Sequence, residues 1–76
     1  MVPAVRRTRN FQGVQVTTYD GQPTKWGEGV RIVFPDGSER VAAPTDSHHD
    51  LDEVTCYEVN RWRVAKWKEA GHGGVI

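Results

Sequence analysis

Apolar residues in this chain follow two periodicities: alternate positions in the first half and helical spacing in the second. The clearest alternation is Val30, Ile32 and Phe34, with Arg31 and Val33 between them, the period of a half-buried strand. Pro35-Asp36-Gly37 follows with turn chemistry. Pro35 pre-sets φ, the Asp36 carboxylate closes an Asx-type bond, and Gly37 accepts positive φ. Val41 and Ala42 continue a return strand from about Ser38 to Ala43, so residues 30–43 predict a β-hairpin. Upstream, Phe11 to Tyr19 reads as the first strand. Val14 and Val16 alternate with Gln15 and Thr17, and Gly13 marks a bulge or a close backbone approach. Asp20-Gly21-Gln22-Pro23-Thr24 reads as turn and loop, and Lys25 to Gly29 leads into the second strand. Residues 1–9 have Pro3, no periodicity, and Arg6, Arg7 and Arg9, and read as a flexible basic arm.

Pro44-Thr45-Asp46-Ser47 closes the sheet, and Thr45, Asp46 or Ser47 is the expected N-cap of a helix from about 48 to 70. Asp50, Asp52 and Glu53 suit the positive end of that helix; Lys66, Lys68 and Gly71 suit its last turn and stop. Leu51, Val54, Thr55, Val59, Trp62 and Ala65 share one face at helical spacing and are expected against the sheet. Tyr57, Val64 and Trp67 fall elsewhere and are too apolar for a solvated face. Either the helix has a second, binding face, or Thr55 to Lys68 is partly strand with Asn60-Arg61 at a turn. The signals at both ends favour helix. Residues 72–76 read as a frayed tail. The expected architecture is α+β: a three-stranded antiparallel meander with one C-terminal helix packed on one face, in a single domain over residues 10–71.

The length of 76 residues bounds the chain to one small domain, for which burial is marginal. With a single cysteine, Cys56, there is no intrachain disulfide, which suits a reducing compartment. No apolar run is long enough to span a membrane, and the N-terminus lacks the apolar stretch of a signal peptide, so a cytoplasmic protein is expected. Ten basic and ten acidic residues cancel overall but not locally. Asp46, Asp50, Asp52, Glu53 and Glu58 form an acidic stretch, between the early arginines and Arg61, Arg63, Lys66 and Lys68.

Basic residues interleave with Trp62 and Trp67 near the end of the helix. Together with Arg6, Arg7 and Arg9, the cations Arg61, Arg63 and Lys66 are candidates for a phosphate-binding surface. The competing account has these cations complementing the helix C-terminus, and overall neutrality favours it. His48, Asp52 and Cys56 would stack at i, i+4 and i+8 on a helix starting at 48, with His49 and His72 as extra ligands, but no metal-binding motif accompanies them. Cys56 with His48 or His49 is a weak candidate nucleophile and base, because residues so close on one helix seldom form a cleft. Gly27-Glu28-Gly29 and Gly71-His72-Gly73-Gly74 lack the context of phosphate loops.

Trp26, Trp62, Trp67, Tyr19 and Tyr57 are many amphipathic aromatics for a chain whose only leucine is Leu51. The expected function is a non-enzymatic protein-binding module, with no cofactor, metal or small-molecule substrate. It is expected to bind a protein partner or a second copy through Tyr57, Arg63, Val64, Trp67 and Lys68. Accessory or inhibitor proteins of phages and mobile elements fit this size, an expectation that rests on no residue. The alternative is a small DNA-binding domain using the basic arm and the basic end of the helix. The deciding geometry is whether those cations meet on one face or whether the apolar helix residues form an exposed patch.

Overall fold

The computed structural model describes residues 5–71; the expected tail over 72–76, with His72, and residues 1–4 of the expected arm lie outside the described residues. The chain forms β1 (Val5–Phe11), β2 (Val14–Thr24), β3 (Gly27–Val33), β4 (Glu39–Ala42) and α1 (Leu51–Glu69). The strands make a four-stranded antiparallel meander in the order β1-β2-β3-β4, with α1 packed on one face. The class is α+β as the patterning predicts, but with four strands instead of three.

The additional strand comes from residues read as an arm. Arg6, Arg7 and Arg9 lie in β1, which pairs with β2 from Val5↔Asp20 to Phe11↔Val14. As an edge strand it is exposed along most of its length, so it lacks apolar alternation. The expected first strand, Phe11 to Tyr19, is broken by a two-residue turn. Gln12 and Gly13 take φ of 53° and 87°, the pair of positive values that a tight hairpin needs, and the Gly13 N–H donates to Asn10 Oδ1 at 2.9 Å. Residues 20–24, read as turn and loop, belong to β2, which carries a bulge between Asp20 and Gln22. Beyond the bulge, Gln22–Gly29 forms a two-stranded extension with Lys25-Trp26 at its tip.

The hairpin at Pro35-Asp36-Gly37 has the expected turn. The Gly37 N–H donates to Phe34 O at 3.0 Å, Gly37 has φ 89°, and Asp36 Oδ1 accepts from the Ser38 N–H at 2.9 Å. Strand pairing places Val16, Thr18, Val30, Ile32 and Arg40 on the helix side, and Arg6, Thr8, Thr17, Tyr19, Arg31, Val33 and Val41 on the other. Val16, Val30, Ile32, Phe34, Val54 and Val59 form the core, with Phe11, Val14, Ala42, Leu51 and Trp62 packed around them. Gly29 is required by close approach: a Cβ there would run into the Ala42 carbonyl and the Thr24 methyl.

The helix begins later than predicted. Thr45 closes a preceding turn, its Oγ1 accepting from the Ser47 and His48 N–H groups, while Asp50 is the N-cap and accepts from the Glu53 N–H at 2.9 Å. Glu53 accepts in turn from the His49 N–H at 3.1 Å, a variant of the capping box. Residues 55–68 are helical throughout, and Gly71 with φ 92° follows the C-cap Ala70. Of the expected sheet-facing residues, Val54, Thr55 and Val59 are buried and Leu51 and Trp62 half-buried; Ala65 is exposed, at the edge of an open groove it lines with Phe34, Arg40 and Trp62. Trp62 stacks on Phe34 with ring centroids 4.9 Å apart and planes 2° from parallel.

Gly37→Val is expected to lower unfolding free energy by about 1 kcal/mol, because a β-branched residue is strained at positive φ. Trp62→Ala removes the stacked ring and is expected to cost about 3 kcal/mol. Urea denaturation checks both, and an unchanged midpoint for Trp62→Ala would contradict the packing described.

Candidate functional site

Helical geometry turns residues two apart by about 200°, so fixing Trp62 against Phe34 sends Val64 outward. Tyr57, Val64 and Trp67 are exposed by 44%, 50% and 53%, with Asn60 also on that outward surface. The spacing 57, 60, 64, 67 repeats at three and four residues, so these four side chains form one ridge along the helix. A shallow groove of about 510 Å³ runs beside it, lined by Tyr57, Asn60, Arg61, Val64, Ala65 and Lys68. At its N-terminal end, Tyr57 is held by the His48 ring, with centroids 4.5 Å apart, and the Arg61 guanidinium lies 5.7 Å from the Tyr57 ring centre.

The two sides of the ridge are anchored differently. On one side, Arg40 from β4 donates through Nε to Glu58 Oε1 at 2.8 Å, and Arg61 lies 3.8 Å from Glu58 Oε2. Glu58 is buried, and its desolvation is offset by these two cations. On the other side, Asp52 pairs with Arg9 of β1, and Arg63 donates to Gln12 in the β1–β2 turn. At the C-terminal end, Lys66 Nζ lies 2.9 Å from Asp36 Oδ2, and Trp62 Nε1 donates to the same oxygen at 3.4 Å. The hydrogen bond from Ser38, and then that from Lys66, hold the Asp36 carboxyl far below its ordinary value, and Asp36 in turn raises Lys66.

The proposed phosphate-binding cations do not assemble. Arg6 points to the open face of the sheet, whereas Arg7 and Arg9 are on the helix face, paired with Asp20 and Asp52. Arg61 pairs with Glu58 within the helix and lines a groove with Glu39 and Arg40 of β4, Arg63 reaches the β1–β2 turn and Lys66 the β3–β4 turn. Part of the segmental charge pattern of the sequence thus becomes ties between the helix and the sheet, through Asp52 with Arg9, Glu58 with Arg40 and Lys66 with Asp36. Nor do His48, Asp52 and Cys56 stack, because His48 precedes the helix, faces Tyr57, and leaves Asp52 to Arg9. Among the described residues, no group of three or more His, Cys, Asp or Glu side chains converges.

Comparison of this chain with family models, curated proteins and solved structures finds no match. Any reading of the site therefore rests on its own geometry.

Two placements depend on tertiary structure: the pairing of Glu58 with Arg40 and the exposure of Trp26. Glu58 lies on the buried stripe, four residues after Val54, a placement that calls for a cationic partner, and the partner is Arg40, 18 residues earlier in the chain. Trp26, at the tip of the β2–β3 extension, is 73% exposed, with Lys25 Nζ 4.3 Å from its ring centre.

Asp36 has a folded pKa below its unfolded one, so its contribution is present above the ordinary carboxylate value of 3.8 and lost as pH falls below it. Asp36→Asn is therefore expected to melt below the wild type at neutral pH. The gap should narrow as the solution is acidified below about pH 4. Melting curves across a pH series check this, and a gap independent of pH would contradict it.

Proposed function

We propose that this chain is a non-enzymatic protein-binding module whose docking surface is the outward ridge of α1, Tyr57, Val64 and Trp67, flanked by Arg63 and Lys68. The observation that carries the reading is the exposure of these three large apolar side chains on one helix face. The opposite face already packs on the sheet. Water-exposed apolar ridges of this kind suit partner recognition, and aromatic residues supply most of the binding energy at protein interfaces. Arg63 and Lys68 would guide encounter and orientation more than affinity.

A nucleic-acid partner has less support. Arg7, Arg9 and Lys66 are engaged with carboxylates, and the cations of that reading point to different elements of the fold. Overall formal charge is zero, whereas a phosphate backbone attracts a basic face. An intracellular role beside other macromolecules accords with the single thiol. Among the described residues, no helix is long and apolar enough to cross a membrane.

The test is affinity capture from cells that carry the gene, with nuclease treatment in parallel. Wild-type protein is expected to retain a protein partner after nuclease. Trp67→Ala, which leaves the core intact, is expected to weaken retention by about 2 kcal/mol, roughly thirtyfold. Loss of the partner on nuclease treatment, or retention unaffected by Trp67→Ala, would overturn the reading.

A further inference from the structure

Building on that docking surface, we infer that the ridge of α1 is shaped for one kind of partner: an amphipathic helix whose apolar stripe is flanked by acidic residues. The shape argument comes from spacing. Tyr57, Asn60, Val64 and Trp67 alternate at three and four residues, the seam along which a second helix interdigitates. Ten residue steps at about 1.5 Å each make a ridge of about 15 Å, matched by about three turns of partner helix. An added strand requires an open sheet edge for its backbone hydrogen bonds, which a helix surface does not supply. Asn60, the polar member of the seam, would fix the register of the pair.

Charge decides between partners. The seam is bordered by Arg61 and Lys68 on the β4 side and by Arg63 on the β1 side. Arg63 is held by the neutral Gln12, so its charge is not cancelled, and Arg61 shares Glu58 with Arg40. These borders count against a second copy of the chain. In an antiparallel pair centred on the ridge, Arg63 would face Arg63 of the other copy. In a parallel pair, Arg63 would face Lys68 of the other copy, five positions on. Like charges oppose each other in either arrangement, whereas Glu or Asp on the partner's borders would meet all three cations.

The experiment uses the full chain and two synthetic helical peptides. Both carry leucine at i, i+3, i+4 and i+7; one has glutamate at the bordering positions and the other lysine. Fluorescence anisotropy of the labelled peptides is expected to show the glutamate peptide binding at least ~10-fold more tightly at low salt, with the difference shrinking as salt rises. The double variant Arg63→Glu, Lys68→Glu, at two exposed positions, is expected to reverse the preference. Val64→Asp is expected to abolish binding of both peptides, and circular dichroism checks that each variant remains folded. Equal binding of the two peptides, or a preference for lysine, would overturn the acidic-partner inference and leave the protein-binding reading standing. So would failure of both peptides to bind while a nuclease-resistant partner is still captured through Trp67. Concentration-dependent dimerisation abolished by Val64→Asp would assign the ridge to a second copy instead. Displacement of the glutamate peptide by duplex DNA would overturn both readings.

Discussion

The stack of Trp62 on Phe34 is the contact on which the rest of the structure depends. The six buried apolar residues among those described are a small core, and they alone would allow a helix to roll over the sheet without great loss. A flat aromatic pair resists that motion, since turning α1 by a fraction of its circumference separates the rings. Asp36 in the β3–β4 turn reinforces the lock, accepting from the indole and pairing with Lys66. The rotational setting of α1 then determines everything on its far side. Val64 and Trp67 are outside because Trp62 is inside.

Polar ties complete what the core begins. Asp52 to Arg9, Glu58 to Arg40 and Arg63 to Gln12 join the helix to β1, to β4 and to the β1–β2 turn. Exposed ion pairs each add little to stability. Their effect here is geometric, since they hold both long sides of the helix while the aromatic stack holds its end. Glu58 differs from the others, because a buried carboxylate without its cation is costly. It therefore makes the position of the short edge strand β4 and that of the helix depend on each other.

The parts of this fold legible in the sequence are those with a local physical cause. Phe34-Pro35-Asp36-Gly37 specifies its own turn, and the spacing of Val54, Thr55, Val59 and Trp62 specifies one helix face. The first strand was not legible because Val5 to Phe11 is an edge strand with little to bury, so its pairing depends on β2 and not on its own pattern. Asp20 to Thr24 has turn composition, yet a bulge absorbs Gly21 and the ladder continues past it. The N-cap went to Asp50 because Thr45 was already committed to its own turn. For the candidate site, the outward placement of Tyr57, Val64 and Trp67 followed from helical spacing alone. The separation of the cations did not, because alternation along β1 divides Arg6 from Arg7, and pairings such as Arg9 with Asp52 connect residues far apart in the chain.

The three tryptophans sit in three different surroundings: at the tip of the β2–β3 extension, in the stack on Phe34, and on the outward ridge. Each indole is thus an optical reporter for a separate event. A soluble quencher reaches the first and third before the second, so emission that survives quenching comes chiefly from Trp62 and follows the seating of the helix. Replacing Trp26 by phenylalanine would leave one half-buried and one more accessible emitter in a single chain, letting tertiary docking and surface occupancy be followed in the same cuvette without an added label.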